Sequence, residues 1–235
     1  MARLFMSGFE FNVAANTDKE FAATGGSPLP TISTTTVRSG TYSGRISSLG
    51  SGSQQFFRQQ YSSGAVNTVF DRFYFNVHTL PSAENCIWAS NDASNLSTLL
   101  VYVTLDNAGV LRLYDEDGQI TGTTTLSVDT WYRIEIKLDR SGSAGSHIVE
   151  GKVDGTTFAT LSNRSVSGGT NYSNWGGNLL GEAQTTGDWF FDDIAINDNS
   201  GGSQNSYPGS GKIIRLKPNA AGDVNTFATA VGGTA

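Results

Sequence analysis

The sequence predicts an all-β fold, a sandwich of two antiparallel sheets, and three observations point that way. The first is a two-residue rhythm of apolar side chains. It is clearest in Trp131-Tyr132-Arg133-Ile134-Glu135-Ile136-Lys137-Leu138-Asp139. Successive side chains of a strand point to opposite faces. Tyr132, Ile134, Ile136 and Leu138 therefore share a buried face, and Arg133, Glu135, Lys137 and Asp139 a wet one. The second is composition: 28 of 235 residues are Gly, and Ser and Thr abound. These residues serve turns and caps and weaken helix interiors. The third is spacing, with strand-like runs recurring at intervals of about ten residues between turn residues. No helical periodicity of useful length and no fixed-period repeat is present.

In chain order, strands are expected over 34–38, 42–48 and 54–59, then over 68–77, where Val69, Phe73, Phe75 and Val77 share a side. The run 98–105 is followed by the turn Asp106-Asn107-Ala108-Gly109 and a strand over 109–114, a hairpin. Asp115-Glu116-Asp117-Gly118 closes that strand with a turn. The run 146–154 ends on Asp154-Gly155, a second hairpin signal. The last strong strand of the main body is 189–197. Residues 165–187 and 199–211 read as loops, the second as a Gly/Ser/Asn-rich linker. The organisation expected is one sandwich domain over 1–198 and a C-terminal extension over 199–235. In that extension Lys212, Ile213, Ile214, Arg215 and Leu216 form a short strand able to add to a neighbouring subunit's sheet.

The net charge of −6 and the lack of a basic cluster exclude a nucleic-acid partner. No apolar run of about 18 residues occurs, so no membrane span is expected. Residues 1–10 lack the basic-then-apolar pattern of a secretory signal. Cys86 is the only cysteine, so an intrachain disulfide is impossible, and it lies in the apolar run Cys86-Ile87-Trp88-Ala89 as a small hydrophobe.

Catalytic motifs are missing from the linear sequence. His78 and His147 stand alone in predicted strands. No nucleophile elbow, phosphate loop or His-Glu-x-x-His motif is present. Paired acids alternating along one strand, which would place two carboxyls across a cleft for glycoside hydrolysis, are also absent. The expectation is therefore a non-enzyme. Two binding sites are candidates. Glu10, Asp192 and Asp193 lie in the first and last apolar strands, where buried carboxylates call for a counter-charge; a structural Ca²⁺ with oxygen ligands would supply it, and so would capping or pairing with Arg. Tyr172, Trp175 and Trp88 are candidate glycan-stacking aromatics, with the alternative that they cap the core.

Phe9-Glu10, Gly40-Thr41-Tyr42-Ser43-Gly44-Arg45-Ile46, Trp131 to Ile136, Val153-Asp154-Gly155 and Phe191-Asp192-Asp193-Ile194 occur in this order. Together they resemble the concanavalin A-like, laminin G-like jelly-roll superfamily. That resemblance implies neighbouring first and last strands and carries Glu10 and Asp193 over as structural calcium positions. Phe191 to Asp198, Tyr207-Pro208-Gly209, Lys212 to Arg215 and Pro218 to Asp223 resemble a segment of tailed-bacteriophage structural proteins. This resemblance implies a virion protein on the particle surface (capsid decoration, fibre or tail-associated), with other virion proteins and copies of itself as partners. A carbohydrate-binding module is the alternative expectation, and a glycan-degrading enzyme a second.

Overall fold

The computed structural model describes residues 3–12, 20–47, 53–61, 65–92, 96, 99–182 and 186–213. These residues form fifteen strands: β1 (Arg3–Ser7), β2 (Ala23–Gly25), β3 (Thr31–Ser33), β4 (Ser43–Ser47), β5 (Gln55–Gln60), β6 (Thr68–Thr79), β7 (Asn85–Asn91), β8 (Leu99–Leu105), β9 (Val110–Asp115), β10 (Gly118–Thr125), β11 (Trp131–Asp139), β12 (His147–Val153), β13 (Thr156–Arg164), β14 (Tyr172–Gly177) and β15 (Asp188–Asp198). No helix occurs among the described residues. The strands build two antiparallel sheets. Sheet A runs β13-β12-β11-β6-β15-β4-β3, with β1 also paired to β15; sheet B runs β10-β9-β8-β7-β14-β5-β2.

The all-β sandwich predicted from the sequence is the architecture found. Trp131–Asp139 forms β11, and its Ile134, Ile136 and Leu138 are buried between the sheets as the alternation requires. The hairpin β12–β13 turns on Asp154 and Gly155 at φ of 52° and 91°. Two positive φ values suit a tight hairpin turn, because its twist then matches that of the strands. The first and last of the described strands are neighbours, with Ser7 opposite Ile194. Phe9, Phe21, Phe57 and Trp175 pack as one aromatic group in the core, with Phe9 and Phe57 at 5.0 Å and Phe21 and Trp175 at 6.1 Å between ring centroids.

Three expectations differ from the structure. Residues 34–38 are bends, and the strand lies earlier, at Thr31–Ser33. Residues 165–187 contain β14, which sits between β5 and β7 inside sheet B. Its Gly176 and Gly177 hid it: a strand interior with glycine reads as a loop. Yet glycine is required at 176, because a Cβ there would stand 1.9 Å from the Gln55 carbonyl oxygen.

Thirdly, the presumed linker is a strap laid over the outer face of sheet A. The Tyr207 hydroxyl donates to Glu150 at 2.6 Å, the Gly209 N–H to Glu135 at 2.7 Å, and Arg72 donates to the Gly209 carbonyl at 3.0 Å. Tyr207 also lies under Lys152 and against Phe70. Glu135 and Arg72 are 2% and 3% exposed. Ending the chain at Asp198 would therefore strip partners from buried charged groups. The expected cost is about 2–5 kcal/mol, read as a lower midpoint in urea unfolding of the truncated chain.

Candidate functional site

The register of sheet B creates a row that no single segment contains. Arg58 on β5 stands opposite Asn174 on β14, Asn174 opposite Ala89 on β7, Ala89 opposite Tyr102 on β8, and Tyr102 opposite Tyr114 on β9. Alternation along each strand turns all five outward, while their neighbours Phe57, Trp175, Trp88, Val101 and Leu113 turn into the core. The row thus crosses five strands at right angles to their run, with about 4.8 Å between positions.

One end of the row is basic and tightly bonded. Arg58 Nε donates to Asn174 Oδ1 at 2.6 Å, and Asn174 Nδ2 donates to Asn91 Oδ1 at 2.7 Å. Arg58 lies 4.6 Å from the Phe56 ring centroid and 5.7 Å from that of Tyr172. Arg58, Asn91 and Asn174 are buried, whereas Phe56 and Tyr172 are half-buried. Burial lowers the Arg58 pKa from its ordinary value.

The other end is acidic and more open. The rings of Tyr102 and Tyr114 stack at 4.6 Å with 9° between their planes. The Tyr114 hydroxyl and the Thr104 hydroxyl each donate to Glu84 Oε1 at 2.5 Å. Arg112 reaches Glu84 at 3.3 Å and Asp106 at 2.8 Å. The Glu84 side chain is 38% exposed.

Glu182 supplies a second carboxyl, within reach of the charge of Glu84. Glu182 accepts the backbone N–H of Cys86 at 2.5 Å and that of Leu180 at 3.0 Å. Cys86 and Thr104 are register partners on adjacent strands, so Glu182 on Cys86 and Glu84 on Thr104 occupy the same rung of the sheet. The loop bearing Glu182 is held by a reciprocal amide pair. Asn85 Nδ2 donates to Asn178 Oδ1, and the Asn178 N–H donates to Asn85 Oδ1 at 2.9 Å.

The environments of this group differ in a useful way. Burial raises the Glu182 pKa above the usual carboxylate range, the N–H groups of Cys86 and Leu180 pull it back, and the charge of Glu84 pushes it up again. Burial first, then the hydrogen bond and the charge of Glu84, raise the Tyr114 pKa well above its ordinary value, so its hydroxyl keeps its proton. Glu84 is the ion-paired member, held against Arg112. Two neighbouring carboxyls in unlike surroundings are what acid–base division of labour requires. Cys86, fully buried with its thiol pushed well up, is inert among them.

The aromatic residues named from the sequence divide by strand parity. Tyr172 is on the outer face of sheet B beside Arg58. Trp175 and Trp88 are 0% and 1% exposed, locked between the sheets. As glycan-binding residues they are corrected: each lies an odd number of positions from an outward neighbour and so turns to the core. Glu84, Glu182, Tyr102 and Tyr114 were missed because they come from four separate segments.

The three acids assigned to calcium lie together around the loop 38–42. A bulge in β15 puts both Phe191 and Ile194 into the core, with Asp193 at a φ of 48°. Both aspartates then face that loop and the strap. Asp192 Oδ2 accepts the N–H groups of Arg38 and Ser39 at 3.0 and 3.2 Å. Asp193 pairs with Arg38 at 2.5 Å and accepts the Ser39 hydroxyl at 2.9 Å and the Ile213 N–H. Glu10 Oε1 accepts the N–H groups of Thr41 and Tyr42 at 2.8 and 3.2 Å.

These partners are donors, the opposite polarity from a calcium coordination shell of oxygen lone pairs, so the carboxylates as arranged do not fit that ion. Among the described residues, no group of three or more His, Cys, Asp or Glu gathers at a metal-like spacing. A chelator is accordingly expected to leave the melting temperature unchanged; a fall would restore calcium, since an ion bound only to the folded chain raises its stability.

Of the assembly residues, Lys212 is exposed and Ile213 half-buried against Gly8. Ile214, Arg215 and Leu216 lie outside the described residues. His78 is exposed and bonds Asp129 at 2.7 Å. His147 is buried on sheet A. Neither histidine is near the row.

No protein-family model and no curated sequence matches the chain. Solved structures do. The chain is similar to the cellulose induced protein Cip1, with 18% identity over 88% of this chain and 100% of that one and a TM-score of 0.61. It is similar to an endo-beta-1,4-glucuronan lyase of the fungus Trichoderma reesei, with 12% identity over 72% and 86% of the two chains and a TM-score of 0.54. A carbohydrate esterase from the Shiga toxin-encoding bacteriophage phi24B gives 13% identity over 85% and 100%, with a TM-score of 0.55. At these identities the likeness establishes a shared sandwich fold.

The likeness also corrects the expectation of a non-enzyme: two of these three neighbours are named as a lyase and an esterase, so the fold does not exclude catalysis. That expectation rested on acids alternating along one strand. In this chain Glu84 and Glu182 come from segments far apart in sequence, where no linear pattern reveals them as a pair.

Proposed function

We propose that this protein is a glycan-active enzyme whose polysaccharide lies across the outer face of sheet B, with Glu84 and Glu182 as its acid–base pair. The observation that carries this reading is the shared rung of the two carboxyls beside the Tyr102–Tyr114 stack. Glu182, with its raised pKa, protonates the departing glycosidic oxygen, and Glu84 takes a proton from the attacking water. The glycosidic bond breaks, a carbon–oxygen bond to water forms, and the two protons balance. Tyr102 and Tyr114 offer apolar ring edges and polar tips, which suit sugar rings. Near the pair, Glu84, Glu182 and Asp106 outnumber Arg112, so the open end of the row favours a neutral glycan over a uronate polymer.

The test is reducing-end release from a panel of neutral and acidic polysaccharides. Glu182→Gln and Glu84→Gln are each expected to lower kcat by roughly 10²–10⁴-fold, with folding checked by urea midpoint. Tyr102→Ala is expected to raise KM. Wild-type turnover in both glutamine variants would falsify the assignment. Unsaturated products, seen by ultraviolet absorbance, would replace hydrolysis by elimination and move the chemistry towards Arg58, Asn174 and Tyr172.

A second reading concerns where the protein works. The C-terminal strap covers the outer face of sheet A, and the row faces out from sheet B on the opposite side. A chain tethered to a phage particle through residues beyond the strap would therefore present the row to host or environmental glycans. This reading keeps the virion location and the virion-protein partners that the C-terminal resemblance implies. Mass spectrometry of purified particles tests it, and absence of the chain from them rejects it.

A further inference from the structure

Between the first strand and the strap lies a crevice of about 350 Å³, on the side of the molecule away from the row. Its lining includes Arg3, Arg72 and Lys212 together with Met6, Ser210 and Ile213, and none of the described residues lining it is acidic. That is unexpected in a chain of net charge −6. Burial disfavours the charge of each arginine; at Arg72 the charges of Tyr74, Asp193 and Glu135 act the other way, and that of Arg3 adds to the effect of burial.

Their hydrogen bonding leaves this charge unmet by any carboxylate in direct contact. Arg72 directs Nε and Nη2 to the Asp193 carbonyl at 3.1 and 2.8 Å and Nη1 to the Gly209 carbonyl. These backbone carbonyls take three of its five N–H donors and carry no net charge. The neighbouring Asp193 carboxylate is paired with Arg38. Arg3 Nε is buried and has no hydrogen-bond partner among the described residues. A desolvated donor without a partner costs about 1–3 kcal/mol or more when charged, and two converging guanidinium groups add repulsion. Lys212 is exposed at the mouth.

We propose that this crevice binds an oxyanion, a carboxylate, sulfate or phosphate group, seated between Arg3, Arg72 and Lys212. Guanidinium groups match oxyanions by planar, forked donor geometry, and Lys supplies a mobile point charge. The volume is at the lower end of ligand pockets and suits an anion or a single acidic sugar, not a long chain. The site is separate from the row on sheet B and does not depend on the reading given to it.

Calorimetric titration and thermal melting of the full chain test the proposal, with sulfate, inorganic phosphate and glucuronate at ionic strength matched by chloride. Glucose is the neutral control. Saturable binding of at least one oxyanion is expected, with glucose silent, and Arg3→Gln or Lys212→Gln should weaken it at least tenfold. Lys212 is exposed and Arg3 half-buried, and unchanged melting in chloride verifies that the variants fold. Preference for glucuronate over phosphate and sulfate assigns the anion to a sugar; the reverse assigns it to a free inorganic anion. Sulfate and phosphate also raise melting temperatures by exclusion from protein surfaces. A rise that does not saturate, or one equal in wild type and Arg3→Gln, overturns the proposal, as does silence from all three anions.

Discussion

Replacing Trp175 by alanine is expected to destabilise the protein by about 3–5 kcal/mol, the usual range for a large aromatic removed from a packed core. The indole is 0% exposed and lies 6.2 Å from the Phe5 ring and 6.1 Å from Phe21, between the first strand and sheet B. For a domain of this size the loss corresponds to a fall in melting temperature of roughly 6–20 °C. A weakened glycan response in this variant would report a smaller folded fraction. Tyr172→Ala is the informative partner: its ring is half-buried on the outer face, so it is expected to cost little stability while changing glycan affinity. Urea midpoints and glycan titrations on both variants separate the two effects. A Trp175→Ala protein as stable as wild type would show that the core closes around the missing ring.

The second large effect is a loss of stability as pH rises. Asp71 on β6 is 0% exposed between the sheets. Its Oδ2 accepts the Trp88 indole N–H at 3.0 Å and the Ser173 hydroxyl at 2.5 Å, and Tyr61 joins the group through Ser173 at 2.8 Å. Burial outweighs these donors and raises its pKa from 3.8 to about 7. The folded state therefore holds a proton that the unfolded chain releases at lower pH. Stability is full below the unfolded value of 3.8 and falls as pH climbs to about 7.

Three units at about 1.4 kcal/mol each give on the order of 4 kcal/mol for a complete shift. Asp192, raised to about 8 by burial and by the charge of Asp193, acts in the same direction and extends the decline. Asp71→Asn keeps an acceptor for Trp88 and Ser173 but cannot ionise. Its unfolding free energy is expected to vary much less than that of wild type between about pH 4 and pH 7. Parallel slopes for the two proteins in urea titrations would rule out Asp71 as the source.

How much of this molecule was legible in its residues depended on how local each cause was. β11 could be read because Ile134, Ile136 and Leu138 alternate with charged neighbours, and the hairpin at Asp154-Gly155 because its turn chemistry is written in two residues. β14 could not, because Gly176 and Gly177 look like a loop until Gln55 is seen to crowd against them. Strict alternation would turn one of the neighbouring Asp192 and Asp193 carboxylates towards the core. A bulge resolved that conflict, and only the pairing with β6 and Arg72 shows it. Tyr172, Trp88 and Trp175 were named together, and only parity within strands not recognised in the sequence separates them: Tyr172 is half-buried on the outer face, Trp88 and Trp175 lie in the core.

By itself, the sequence determined that the chain makes strands, that each has a wet and a dry face, and that turns separate them. These follow from side-chain periodicity and from glycine and aspartate conformations, all of them properties of a few consecutive residues. Only the tertiary structure decided which strands became neighbours. That choice set Glu84 beside Glu182, drew Arg58, Asn174, Tyr102 and Tyr114 into one row, and closed the strap over Arg72 and Glu135. Register between distant strands is settled by core packing and hydrogen-bond pairing across the whole sandwich, so positions about 100 residues apart become neighbours at strand spacing.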